Sequence, residues 1–148
     1  MIGAALLNLA DIAACLSGDF HTMHLNIHGT EFDTLHRKVL TKYYVEADYD
    51  YDNWAETAML FDDVENVPNK NKSAERIQWQ SFEGDCTRDS IISRTTDIIN
   101  GYIEALHTIF VSLNTKQDDY KCVGVANTLQ TRIEYWSKEV NYFNARRY

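Results

Sequence analysis

Residues 2–27, IGAALLNLADIAACLSGDFHTMHLNI, decide the fold. Their apolar positions Ile2, Leu6, Leu9, Ala13, Leu16, Phe20, Met23 and Ile27 recur at alternating steps of four and three. That is the period of an α-helix with one buried stripe, whereas a strand repeats every second residue. Gly29 is placed to end this helix, because glycine takes the left-handed cap conformation without strain. Thr30 is a good N-cap for the next helix, and Asp33 stands where a capping-box acid would.

A second helix is expected from about Glu31 to Phe61. Its stripe is Phe32, Leu35, Val39, Tyr43 and Ala47, then Trp54, Ala58 and Phe61. The step from Ala47 to Trp54 lacks a clean intermediate and passes through EADYDYD, residues 46–52. An extra residue taken up there as a π-bulge is one expectation, and such bulges favour functional sites. Residues 62–85, DDVENVPNKNKSAERIQWQSFEGD, are the least periodic stretch and read as a connection, with Ser73 starting one short helix. A connection this long lets the next helix run in the same direction as the last. Ile91, Thr95, Ile98, Tyr102, Leu106, Ile109 and Leu113 mark the third long helix, ending near Asn114. Asp118 or Asp119 caps the fourth, whose stripe is Leu129, Ile133, Trp136, Val140 and Phe143. The expectation is an all-α protein, a four-helix bundle in one domain over residues 1–148, with a long crossover carrying a short extra helix.

Composition narrows the function classes. At 148 residues with 45% apolar content the chain is long enough to bury a real core. A net charge of −8 does not favour nucleic acid as a partner of the whole surface. Cys15, Cys86 and Cys122 are odd in number and have no C-x-x-C, so they read as small buried hydrophobes in a reducing compartment. The N-terminus has no Lys or Arg near its start, and Asp11 interrupts its apolar run. Neither a secretory leader nor a membrane span is expected, and the chain reads as soluble and cytoplasmic. Phosphate-binding glycine loops, nucleophile elbows and paired-cysteine motifs are missing from the sequence.

Histidines and acids carry what chemistry the sequence offers. His21, His24 and His28 share one helical face, and His36 follows the glycine. Asp52 and Glu56 are four apart, so both lie on one side of a helix, with Asp48 one turn earlier. Imidazole and carboxylate are ligands that ferrous iron accepts. Glu104-Ala-Leu-His107 is a rival, since a Glu-x-x-His step on an inward face is how di-iron bundles build an internal site; Asp33-Thr-Leu-His36 is its weaker counterpart. Tyr49, Tyr51 and Trp54 flank the acids, where their rings are placed either to intercept oxidising equivalents or, as the preferred expectation, to pack a subunit interface.

His24-Leu-Asn-Ile-His28-Gly29 followed by Phe32, Leu35 and His36, then Asp52-Asn-Trp-Ala-Glu56, resembles the Dps-type miniferritins, the DNA-protection-during-starvation branch of the ferritin-like superfamily. Residues 125–140, VANTLQTRIEYWSKEV, also resemble that family's last helix, and the likeness spans residues 4–147. The resemblance implies a ferritin-like bundle assembled into a hollow homo-oligomer, a dodecamer, with iron as substrate. It implies a ferroxidase site at two-fold interfaces, where His24 and His36 of one subunit meet Asp52 and Glu56 of another. It further implies oxidation of Fe(II) by hydrogen peroxide and storage of ferric mineral, protecting against oxidative damage. Two departures stand out. The family's acid four residues after the second histidine is Leu40 here, and the spacing from His36 to Asp52 is one residue longer. Asp48 is the candidate replacement ligand. The tryptophan that often follows the first histidine is Leu25. The alternative is a non-catalytic Dps-like shell or binding protein with a degenerate site. DNA binding is not expected, because only the Asn144–Tyr148 end, with Arg146 and Arg147, is basic.

Overall fold

Four long helices and one short one make up the regular structure of this computed structural model, which describes residues 1–27, 32–84, 86–116 and 118–146. They are α1 (Ile2–Asn26), α2 (Thr41–Ala58), α3 (Ser73–Ile77), α4 (Arg88–Leu113) and α5 (Tyr120–Arg146). No strand occurs among the described residues. π-Helical turns over Phe32–Leu40 lead directly into α2, and a 3-10 turn, Lys70–Lys72, leads into α3.

Most positions of the expected stripes form the core, with Ile2, Phe61 and Ile133 half-buried against it and the Phe32 side chain outside the described residues. Leu6, Leu9, Leu16, Phe20 and Met23 of α1 meet Tyr43, Ala47 and Trp54 of α2, Ile91, Tyr102 and Leu106 of α4, and Leu129 and Trp136 of α5. Cys15, Cys86 and Cys122 are free and buried. Burial, with Asp19 and Asp11 nearby, pushes the Cys15 thiol up to about 12, so it stays protonated.

Two boundaries differ from the sequence reading. The first helix stops at Asn26, and Ile27 is already extended (φ −68°, ψ 142°). The second begins as π-helix at Phe32–Leu40, whereas EADYDYD is regular α-helix. The expected bulge is therefore upstream of its expected place. Gly29, Thr30 and His28 lie outside the described residues, as does the Asp33 side chain, and the capping assigned to them goes with them. Asp119 caps α5 through the amide of Lys121 at 2.9 Å.

Side-chain contacts fix the helix directions. Ser17 donates to the Tyr44 carbonyl at 3.1 Å, and Asp63, just past α2, accepts from the amides of Gly3 and Ala4. So α1 and α2 are antiparallel. Arg132 pairs with Glu46, and Lys121 donates to the Leu60 carbonyl, so α2 and α5 are antiparallel. Thr96 bonds Asn144, while Leu113 and Cys122 line one cavity, so α4 and α5 are antiparallel too. It follows that α2 and α4 run the same way and that residues 59–87 cross the length of the molecule. This crossover is tied to α1 by two buried acids. Asp11 accepts from Ser73 at 2.8 Å and Arg76 at 2.6 Å. Asp19 accepts from Trp79, the Phe82 amide and Arg94.

By length and composition α1 could cross a membrane. Half of its apolar window is buried against the other helices, and Asp11 and Asp19 within it are engaged as described.

The gap between Ala47 and Trp54 is filled by Asp50, which is fully buried. Its Oδ2 accepts from Tyr102 at 2.8 Å and from Trp136 Nε1 at 2.9 Å. Arg132 Nε lies 2.7 Å from Oδ1, an ion pair without the alignment of a hydrogen bond. Trp54 Nε1 donates to Tyr102 at 2.7 Å, completing a polar knot among α2, α4 and α5. Burial pushes the Asp50 carboxyl up from its ordinary value, against the pull of Arg132 and these donors.

Removing one partner of such a pair leaves an uncompensated charge inside. Asp50→Ala is expected to cost about 3–5 kcal/mol, lowering the thermal midpoint by roughly 10 °C or more. Asp50→Leu combined with Arg132→Leu should melt above the Asp50→Ala variant in the same calorimetric scan, because no charge is then stranded.

Candidate metal centre

His24, in the last turn of α1, and His36, in the π-helical turns before α2, face one another. Their rings stack with centroids 3.8 Å apart and planes 15° from parallel. Each binds the other's main chain. His36 Nδ1 lies 2.7 Å from the His24 carbonyl, and His24 Nδ1 lies 3.1 Å from the His36 carbonyl. A carbonyl only accepts, so both Nδ1 atoms carry protons. In a neutral ring the lone pair then sits on Nε2. Bonding of one ring nitrogen to a main-chain carbonyl is the arrangement that orients histidines that hold metals. Around the pair, Tyr44 stacks on His21 at 4.7 Å and sets its edge to His24 at 5.2 Å.

Local geometry explains how the sequence reaches this pairing. Each i→i+5 turn takes one residue more than an α-turn. One turn on from His36 is therefore Thr41 rather than Leu40. Leu40 is fully buried in the core. The Thr41 hydroxyl donates to the His36 carbonyl at 2.6 Å and lies 3.2 Å from His24 Nδ1.

The acids occupy the far stretch of α2. Asp52 and Glu56 are both exposed. Asp48 is exposed as well, but its carboxylate is held by Lys70 of the crossover, whose ammonium also lies 4.5 Å above the Tyr51 ring. Sixteen residues of helix separate His36 from Asp52, roughly 20–25 Å at helical rise. The imidazole pair and the acid pair of one chain are thus too far apart to share an ion. Among the described residues no three metal-binding side chains converge within the chain.

The rival internal site is not assembled. Glu104 and His107 are exposed, and His107 stacks on Phe110 instead of facing inward. Asp50 does face inward between α4 and α5, and its oxygens are engaged by Tyr102, Trp136 and Arg132. Sequence reasoning missed Asp50 and Arg132 because charged residues are assigned to the surface by default. Spacing held the signal: Asp50 completes Ala47 to Trp54, and Arg132 falls between Leu129 and Trp136.

Partial burial and the adjoining His36 and His21 push His24 below its ordinary 6.5, outweighing the hydrogen bond to the His36 main chain. A histidine depressed in the folded state binds fewer protons there than when unfolded. Its stabilising contribution is complete above about pH 6.5 and is lost as pH falls through the folded value. An NMR titration of the imidazole signals should give His24 a midpoint below 6.5; a midpoint at or above it would contradict the packing described.

No protein-family model matches the chain, and no curated protein sequence matches it.

Proposed function

We propose that this chain is a ferritin-like four-helix bundle of the Dps type, a ferroxidase subunit acting on Fe(II) at sites shared between copies. The observation that carries the reading is the stacked His24–His36 pair, with both Nδ1 atoms tied to main-chain carbonyls, the arrangement that orients metal-holding histidines. The parallel course of α2 and α4 across a long crossover supports a ferritin-like connectivity. On the outer face of α2, Asp52 and Glu56 are flanked by the exposed apolar side chains Val45, Tyr49, Met59 and Leu60. A second copy laid on this face would cover apolar surface and supply the acids that the imidazoles lack.

In this reading His24 and His36 of one subunit and Asp52 and Glu56 of its two-fold mate hold the ferrous substrate. Neutral imidazole and ionised carboxylate leave positions open for an oxidant. Two ferrous ions each give up one electron, and one hydrogen peroxide takes both. Its O–O bond breaks, and two protons complete two waters. Ferric product is stored as mineral inside a hollow oligomer, a dodecamer, and the net acidic surface draws cations toward it. Removal of both reagents that generate hydroxyl radicals protects a cytoplasmic compartment.

A second reading, a non-catalytic shell or binding protein of the same fold, is favoured by Leu40 in the core and by Asp48 bound to Lys70. Anaerobic Fe(II) titration followed by peroxide separates the two. The ferroxidase reading expects a fast rise in ferric absorbance, lost in His36→Ala and in Asp52→Ala while the oligomer stays intact by sedimentation. A silent but intact oligomer selects the shell reading. A parent protein sedimenting as a monomer would overturn both.

A further inference from the structure

We propose that Thr41 is a positioning residue for the imidazole pair, its hydroxyl locking the His24 ring against the main chain of His36. The inference rests on the metal-binding reading of His24 and His36 and adds a residue that the spacing of acids and histidines does not disclose. Thr41 stands at the π-helical step of five from His36, where a step of four would have presented Leu40.

The proton bookkeeping is determinate. Thr41 Oγ1 carries one hydrogen, and its 2.6 Å contact to the His36 carbonyl uses it, since the carbonyl cannot donate. The 3.2 Å contact between Thr41 Oγ1 and His24 Nδ1 must then be donated by the ring. His24 Nδ1–H is thereby shared between two acceptors, the hydroxyl and the His36 carbonyl at 3.1 Å. His36 is held from the other side by the His24 carbonyl at 2.7 Å. The three groups close a ring of hydrogen bonds in which every donor has an acceptor. Neutral His24 is fixed with its proton on Nδ1, and two contacts rather than one resist rotation of the imidazole. A carboxylate at this place would add a ligand; the hydroxyl instead orients one that is already present. Loss of such an outer partner typically weakens metal affinity by about 10–100-fold.

The test uses the full-length protein with Thr41→Val, which keeps the branched shape and removes the hydroxyl, and Thr41→Ser, which restores it. In the metal-free parent at neutral pH, nitrogen-15 NMR should show His24 with a protected Nδ1–H. In Thr41→Val that proton should exchange rapidly and a share of Nε2–H should appear, with Thr41→Ser returning to the parent pattern. Co(II), titrated by its visible absorption, should bind Thr41→Val about tenfold more weakly and Thr41→Ser within about twofold of the parent. An unchanged His24 signal together with unchanged Co(II) affinity in Thr41→Val would overturn the proposal. So would a Thr41→Ser variant as impaired as Thr41→Val, which would mark the methyl rather than the hydroxyl as the working group. Thr41→Ala stands in if the valine variant does not fold. A parent that takes up no Co(II) removes the metal-binding reading, while the His24 signals still decide the role of Thr41.

Discussion

The buried carboxylate of Asp50 sets the rotation of α2, and most of what faces outward follows from that rotation. Successive helical residues turn by about 100°. With Asp50 aimed at Tyr102, Trp136 and Arg132, Asp48 and Asp52 on either side are turned away from the core. Glu56, four residues beyond Asp52, shares its outward face. One carboxylate is held inside by donors from α4 and α5, so its neighbours in EADYDYD are free to form an acidic exterior. An apolar residue at position 50 would bury as well, but it would not choose between nearby rotations of the helix through two directed hydrogen bonds and an ion pair.

At the other end of the same helix the constraint comes from the backbone. The π-helical turns at Phe32–Leu40 change the phase between His36 and the regular helix that begins at Thr41. That phase brings Leu40 into the core and Thr41 beneath His24. The crossover supplies the third constraint. Asp11 and Asp19 stand eight residues apart on α1, about two turns, and anchor the crossover at Ser73 and Arg76 and at Trp79 and Phe82. Asp63 closes the start of α1, where a Cβ on Gly3 would meet its carboxylate at 2.6 Å. Three acids on or against α1 thus hold the connection, alongside the packing of Phe61, Val64, Trp79 and Phe82 against the core.

The helical stripes were legible because burial imposes a period on the sequence. Every stripe position of the third long helix, from Ile91 to Leu113, is buried, and so are Leu129, Trp136, Val140 and Phe143 of the last. What could not be read was polar. Asp50 looked like a surface acid in an acidic run, and Arg132 drew no reading; their mutual pairing across α2 and α5, with Tyr102 and Trp136 on Asp50 and Glu46 on Arg132, makes burial tolerable. Pairing across elements leaves no local period. The π-helical register was anticipated as an extra residue but not at its place, because the surplus is a property of the whole stretch from His36 to Asp52. Glu104 and His107 show the converse error. A Glu-x-x-His step is compatible with either face of a helix, and α4 turns this one to solvent.

The division of labour along α2 gives the candidate centre its logic. A helix that carries imidazole at one end and carboxylates some 20–25 Å away cannot bring its own ligands together. In the proposed assembly, two such helices laid antiparallel about a two-fold axis would do so twice, because each copy would offer the half that the other lacks. The phase set by the π-helical turns then matters more than the identity of any one acid. It sets the direction in which His36 leaves the helix relative to the carboxylates of Asp52 and Glu56. In an α-helix throughout, the additional residue between His36 and Asp52 would swing one set by about 100° relative to the other. A π-helical turn takes up a residue of that kind. Under the proposed reading, the π-helical stretch before α2 would absorb the one residue by which the His36–Asp52 spacing exceeds the Dps-type pattern.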